Sequence, residues 1–190
     1  MRNFLIALIL LILLAQPVFA TSEQAYRDYL YQFDVYRTKN SEFSVAKSEY
    51  LKFKTLTSQT IALEKTKAII AQRALLLRAY LLLLNEKINQ NRGMTEPDRT
   101  TYQTLIGNEV VFLQSHSKLV ESIGSLEDAQ NVSRNLVEHD TALQSSMRQT
   151  IAGIILGNLS ERSKHFDIVL ADAKAIARKI GYPVLVRPSY

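Results

Sequence analysis

Between Ser22 and Asn91 the chain contains neither glycine nor proline. Turns and sheet edges draw on residues with positive or fixed φ, so a stretch this long without a breaker is built from helix. Thr21 offers an N-cap, with Gln24 three residues on. Tyr26, Tyr29, Phe33, Tyr36, Phe43, Ala46, Tyr50 and Phe53 then recur at helical spacing. A second stripe follows at Leu63, Thr66, Ile70, Ala74, Leu77, Leu81, Leu84 and Ile88. Between the stripes, "TLTSQT" (Thr55 to Thr60) collects residues that compete with helix by bonding their own backbone. It is either a turn between two helices of about 50 Å each, the reading favoured here, or a weak point in one rod of about 105 Å.

Further on, the boundaries are written in capping residues. "NRGMTEPD" supplies Gly93 as a helix stop, Thr95 as N-cap, Pro97 in the first turn and Asp98 as capping partner. A third helix is expected from about Glu96 to Ile123. At "IGSLED" Gly124 stops, Ser125 caps and Asp128 sits three residues on. A fourth stripe runs Ala129, Val132, Leu136, Leu143, Met147, Ile151, Ile154 and resumes at Phe166, Val169, Ala173, Ala177 and Ile180. "GNLS", Gly157 to Ser160, is a possible break or kink within it. Long segments joined by short turns predict an all-α fold: an elongated, coiled-coil-like antiparallel bundle of four to five long helices over residues 21–180, ending in a short extended tail at 181–190.

The first twenty residues have a basic start at Arg2, an apolar run from Phe4 to Ala15 and a polar break at Gln16-Pro17. That is the pattern of a secretory signal. Val18 and Ala20 are small enough to precede a signal-peptidase cut between Ala20 and Thr21. The competing expectation is an uncleaved anchor, since Phe4 to Ala20 reaches the lower limit of about 17 residues for a single span. Without cysteine there is no lipoprotein attachment and no disulfide, so stability outside the cytoplasm must come from packing. A periplasmic or extracellular location is expected, with membrane anchoring if the signal stays.

Residues 21–190 are one domain's worth of chain, able to bury about 70% of their unfolded surface. A hydrophobic content of 47% with 22% charged residues excludes both a disordered chain and a polytopic membrane protein. The formal charge of +5 is unevenly spread. Tyr50 to Arg92 carries eight basic residues against two acidic, Gly93 to Asp140 three against eight, and Thr141 to Tyr190 seven against three. Neighbouring helices of opposite sign attract. The functional alternative is peripheral contact with an anionic membrane or envelope polymer. No basic cluster interleaved with aromatics points to nucleic acid.

Four features bear on function. "ALLLRAYLLLLN", Ala74 to Asn85, is too short and too interrupted by Arg78 to span a bilayer, which places Leu81, Leu82, Leu83 and Leu84 at the bundle centre or an oligomer seam. "GIILG" sets Gly153 and Gly157 one turn apart, a pattern for close helix crossing, either against the Leu81 to Leu84 turn or at a dimer seam. The tyrosine-rich first helix is expected to form core with wet edges, Tyr31 lying off the stripe as a candidate contact residue. Finally His116, His139 and His165 lack the spacing of a di-metal bundle, and Glu161 with His165 reads as a surface ion pair. No haem, phosphate-loop or nucleophile-elbow motif occurs, so no catalytic residue, metal or cofactor is assigned.

The closing residues "ARKIGYPVLVRPSY", Ala177 to Tyr190, resemble a strand motif of the ATP-grasp domains in the large subunit of carbamoyl-phosphate synthase. The resemblance covers this stretch alone. It implies a strand following a helix, with Arg187 reaching nucleotide phosphates ahead of a glycine-rich loop; here Tyr190 is the last residue. Taken as residues, the same stretch is a helix stop at Gly181, an extended Tyr-Pro and strand-prone Val184 to Val186, lying against the bundle or another chain. The chain is therefore expected to be an exported, non-enzymatic interaction or scaffold module with a protein partner or self-association. A holdase-like chaperone is the alternative, and nucleotide binding through the tail a remote one.

Overall fold

The computed structural model describes residues Ser22–Ile180. Four helices occupy almost all of them: α1 Ser22–Phe53, α2 Leu56–Asn89, α3 Glu96–Glu121 and α4 Leu126–Lys179. The fold is an all-α bundle. The proposed signal with its cut at Ala20-Thr21, and the tail with Val184 to Arg187, lie outside the described residues.

Each turn is fixed by side chains that satisfy free helix ends. Between α1 and α2 only Lys54 and Thr55 are non-helical. Lys54 takes a left-handed φ of 52°. Thr55 caps α2 through a reciprocal box: Ser58 N–H donates to Thr55 Oγ1 at 3.2 Å, and Thr55 N–H donates to Ser58 Oγ at 3.1 Å. The expected turn at Thr55 to Thr60 is thus real but displaced, since hydroxyls that compete with helix at its middle complete it at its start.

α2 ends at Asn89, before Gly93. Its last carbonyls are taken up by Arg99 of α3, whose guanidinium donates to the carbonyl oxygens of Ile88, Asn89 (3.1 Å) and Asn91 (2.9 Å). Thr95 then accepts from Asp98 N–H at 3.4 Å and donates to its carboxylate at 2.6 Å. α3 stops at Glu121, two residues before the expected Ile123. Ser125 accepts from Asp128 N–H at 3.1 Å, and the Asp128 carboxylate accepts from Gly124 N–H at 3.1 Å. A hydrogen bond from the Ser125 side chain to the Asp128 carboxylate, then the one from Gly124 N–H, hold that carboxyl below its usual range.

α4 runs unbroken through Gly157 to Ser160 for 54 residues, about 81 Å of helix. The expected break is absent, leaving four helices, because Gly157 is spent on packing. α2 is the hub and packs on all three others, while α3 also packs on α4 and α1 touches α2 alone. The core accordingly sits among α2, α3 and α4: Leu81, Leu84, Ile88, Ile106, Leu113, Leu136 and Leu143 form its main cluster. A smaller one joins Ile70, Val120, Ile123 and Ala129.

The aromatic stripe of α1 departs from expectation. A helix with one neighbour has one seam, and its fully buried members are Ala25 and Ala46. Tyr29, Tyr36, Phe43 and Tyr50 are half-buried, whereas Tyr26, Phe33 and Phe53 are exposed. Polar contacts fix the α1–α2 register: Gln72 donates to the Gln32 side chain at 2.7 Å, and Lys65 pairs with Glu42 at 2.9 Å. That pairing holds the Glu42 carboxyl below its usual range. The oppositely charged α2 and α3 are neighbours as expected, yet no ion pair joins them among the described residues.

Candidate functional site

The residues singled out for contact separate into two groups. Leu81, Leu83 and Leu84 are buried in the chain's own bundle, which leaves them nothing to present to a second molecule as folded. Tyr31 and Leu82 are exposed, at 66% and 43%. The fold brings these two together, in a shallow depression between α1 and α2 that Leu75 also lines.

Gly153 and Gly157 do mark a close crossing, but with another partner than the Leu81 to Leu84 turn. A Cβ on Gly153 would fall on the Tyr102 ring, and one on Gly157 on the Asn91 side chain. Asn91 is held there by donating to the Ile154 carbonyl at 2.8 Å and accepting from Gly93 N–H at 3.2 Å. Gly93 itself abuts the Gly157 carbonyl so closely that any side chain would collide with it. Gly157 and Gly93 therefore serve one contact, between α4 and the α2–α3 turn, and Gly153 lets α4 close on Tyr102 of α3.

A buried polar layer joins α3 to α4. Glu109 accepts from Ser146 Oγ at 2.9 Å and meets His139 Nε2 at 2.7 Å. Phe112 stacks on His139 with ring centroids 3.6 Å apart, and His116 Nδ1 lies 3.2 Å from Asn135 Oδ1. Burial pushes the His116 imidazole below its ordinary value; the Asn135 bond opposes this and the Arg73 charge adds to it. The arrangement is wrong for nucleophilic catalysis, because Ser146 bonds to the carboxylate and not to the imidazole that would have to take its proton. No trio of metal-ligating side chains converges among the described residues. Glu161 and His165 are both exposed and form no ion pair. The layer locks α3 against α4.

Two further surfaces are uncovered among the described residues. Since α1 does not reach α4, a groove of about 790 Å³ opens between them, floored by α2. Tyr36, Phe43 and Tyr50 form one wall; Lys47, Arg73 and Arg134 supply charge, with no acidic residue among its lining.

The second surface is the end of α4. The bundle stops where Gly93 meets Gly157 and Glu161. Helix continues to Lys179, about 28 Å further. Nothing among the described residues covers this arm. Leu156 (64% exposed), Leu159, Phe166 (66%), Val169, Leu170, Ile176 and Ile180 stand in solvent. They form a stripe directed away from the bundle: Leu159 is two residues, about 160° around the helix, from the buried Gly157. Compared with protein families, curated proteins and solved structures, the chain matches none of them.

Proposed function

We propose that this chain is an exported, non-enzymatic helical module that works by contact in the cell envelope, as an interaction or scaffold element. The α4 arm carries this reading. Large apolar side chains contiguous along an exposed helix mark an interaction surface, since scattered ones need no partner but a stripe stays in water at a cost. The signal-like first twenty residues support export.

The test is a photocrosslinking residue placed at Phe166 in the full chain, expressed in its native cells. Adducts to protein are expected at Phe166, with none at Val111, which is comparably exposed (61%) but lies on α3, outside both the stripe and the groove. Absence of any Phe166 adduct rejects the contact reading. Mass analysis of the exported protein supplies a separate check, the expected N-terminus being Thr21.

The groove favours a second reading, a holdase-like chaperone, because aromatic walls with unopposed cations suit extended, partly apolar clients. Slower aggregation of a denatured outer-membrane protein, lost in Phe43→Asp, is its expected signature. Unchanged aggregation removes it.

A further inference from the structure

We infer that the arm pairs with itself: residues 163–180 form an antiparallel two-helix coiled coil with the same segment of a second copy, setting Asp167 opposite the partner's Lys174. This rests on the contact reading above and names its partner.

Positions in steps of three and four, apolar except at Ser163, run along the outer face of the arm. Ser163, Leu170 and Ala177 take one core position of a heptad, and Phe166, Ala173 and Ile180 the other. One flank then carries Asp167 and Lys174, the other Val169 and Ile176. Neither Asp167 nor Lys174 has an ion-pair partner among the described residues.

Side-chain volume selects the orientation. In a parallel pair, Phe166 would meet Phe166 and Ala173 would meet Ala173, so wide and narrow layers would alternate along one seam. A single interaxial distance of roughly 8–10 Å does not suit both. In an antiparallel pair centred between Ala171 and Asp172, Phe166 meets the partner's Ala177, Leu170 meets the partner's Ala173, and Ser163 meets the partner's Ile180. Each layer joins one large residue to one small, and the layers become uniform.

Charge selects the register. In that pairing Asp167 lies opposite the partner's Lys174, twice by the two-fold symmetry, and Val169 lies opposite the partner's Ile176. A slip of one heptad in one direction sets Asp167 against the partner's Asp167; a slip in the other sets Lys174 against the partner's Lys174. Both flanks agree on one register only, and the stripe faces away from the bundle, so a second copy approaches unobstructed.

The absence of cysteine makes disulfide trapping a clean test, in the full chain exported and oxidised. Leu170→Cys and Ala173→Cys variants are expected to give covalent dimers when mixed, and few when each is oxidised alone. Dimers from each variant alone at the yield of the mixture indicate parallel pairing and overturn the proposal, as does a lack of dimers in the mixture. Asp167→Lys is expected to lower the mixed yield about fivefold or more, and adding Lys174→Asp to restore it. Failure of the double exchange to restore it rejects the register. The Phe166 photocrosslink separates this from the parent reading. Adducts to a different protein with none to a second copy overturn self-pairing and leave the contact module standing; no adduct at all removes both.

Discussion

Lys54 holds a left-handed backbone conformation that costs an L-residue roughly 1–2 kcal/mol, at the position after a helix where glycine is the usual occupant. Lys54→Gly relieves that cost and gives back part of it as unfolded-state entropy, for a net gain of about 0.5–1 kcal/mol. A rise of roughly 1–4 °C in thermal midpoint is expected. Arg99 shows the opposite dependence. Its guanidinium serves three carbonyls at the end of α2 while pairing with Glu96 at 3.2 Å. Arg99→Met is expected to cost about 1–2 kcal/mol in urea unfolding, and Arg99→Lys to recover little of it, since one ammonium cannot reproduce the fork. His116 governs a pH window. Its folded-state pKa is depressed below 6.5 by burial, so above that value neither state binds the proton and stability is at its plateau. As pH falls below it, the unfolded chain takes up a proton that the folded chain refuses, and stability drops. The urea midpoint is expected to fall between pH 7.5 and 5.5, and to fall less in His116→Gln. The Glu42 and Asp128 carboxyls, both held below their ordinary values in the fold, lose their contribution in a more acidic range.

At the scale of elements, glycine shows what a sequence conveys and what it withholds. Gly107 and Gly157 both lie within helices; Gly153 one turn before Gly157 signals a close crossing there but does not say with what. A Cβ at Gly107 meets open space, whereas one at Gly157 strikes Asn91, which its hydrogen bonds hold in place. Gly107→Ala is therefore expected to stabilise by about 1 kcal/mol through helix propensity, and Gly157→Ala to destabilise by about 1–3 kcal/mol through overpacking. Denaturant midpoints of the two variants moving in opposite directions would establish this. The helix starts were legible, because Thr95 with Asp98 and Ser125 with Asp128 are local chemistry between neighbours in sequence. The Arg99 cap was not, since it forms only once α3 has turned back beside the end of α2. The α1 stripe misled for a related reason: periodicity states that a face is apolar but not whether a neighbour covers it. The stripe from Phe166 to Ile180 was visible on the same terms, and its lack of a partner only the fold could reveal.

For the whole molecule, the arrangement at one end of the bundle matters most. Lys87 donates to Ser22 Oγ at 3.3 Å, and Gly93 abuts Gly157, so the start of α1, the α2–α3 turn and the base of the arm share that end. An isolated helix the length of the arm is marginal in water, mainly because of its unfavourable nucleus. Here α4 is already helical through Glu161 and supplies the nucleus. The arm can therefore be helical unpaired, but each of its hydrogen bonds is held by propagation alone, with no tertiary contact to protect it. Amide exchange should report this directly. Amides of residues 166–178 are expected to exchange orders of magnitude faster than those of Leu81 to Ile88, which open only with the bundle. Self-pairing makes the arm's protection depend on protein concentration, because association stabilises only the paired helix. Raising the concentration from micromolar to hundreds of micromolar should slow exchange in 166–178 and leave Leu81 to Ile88 unchanged. Leu170→Asp should abolish that concentration dependence without altering the bundle's own exchange, because Leu170 lies outside the contact between α4 and the rest of the fold. Exchange in the arm that is slow and independent of concentration would mean that a segment of the same chain already covers the stripe.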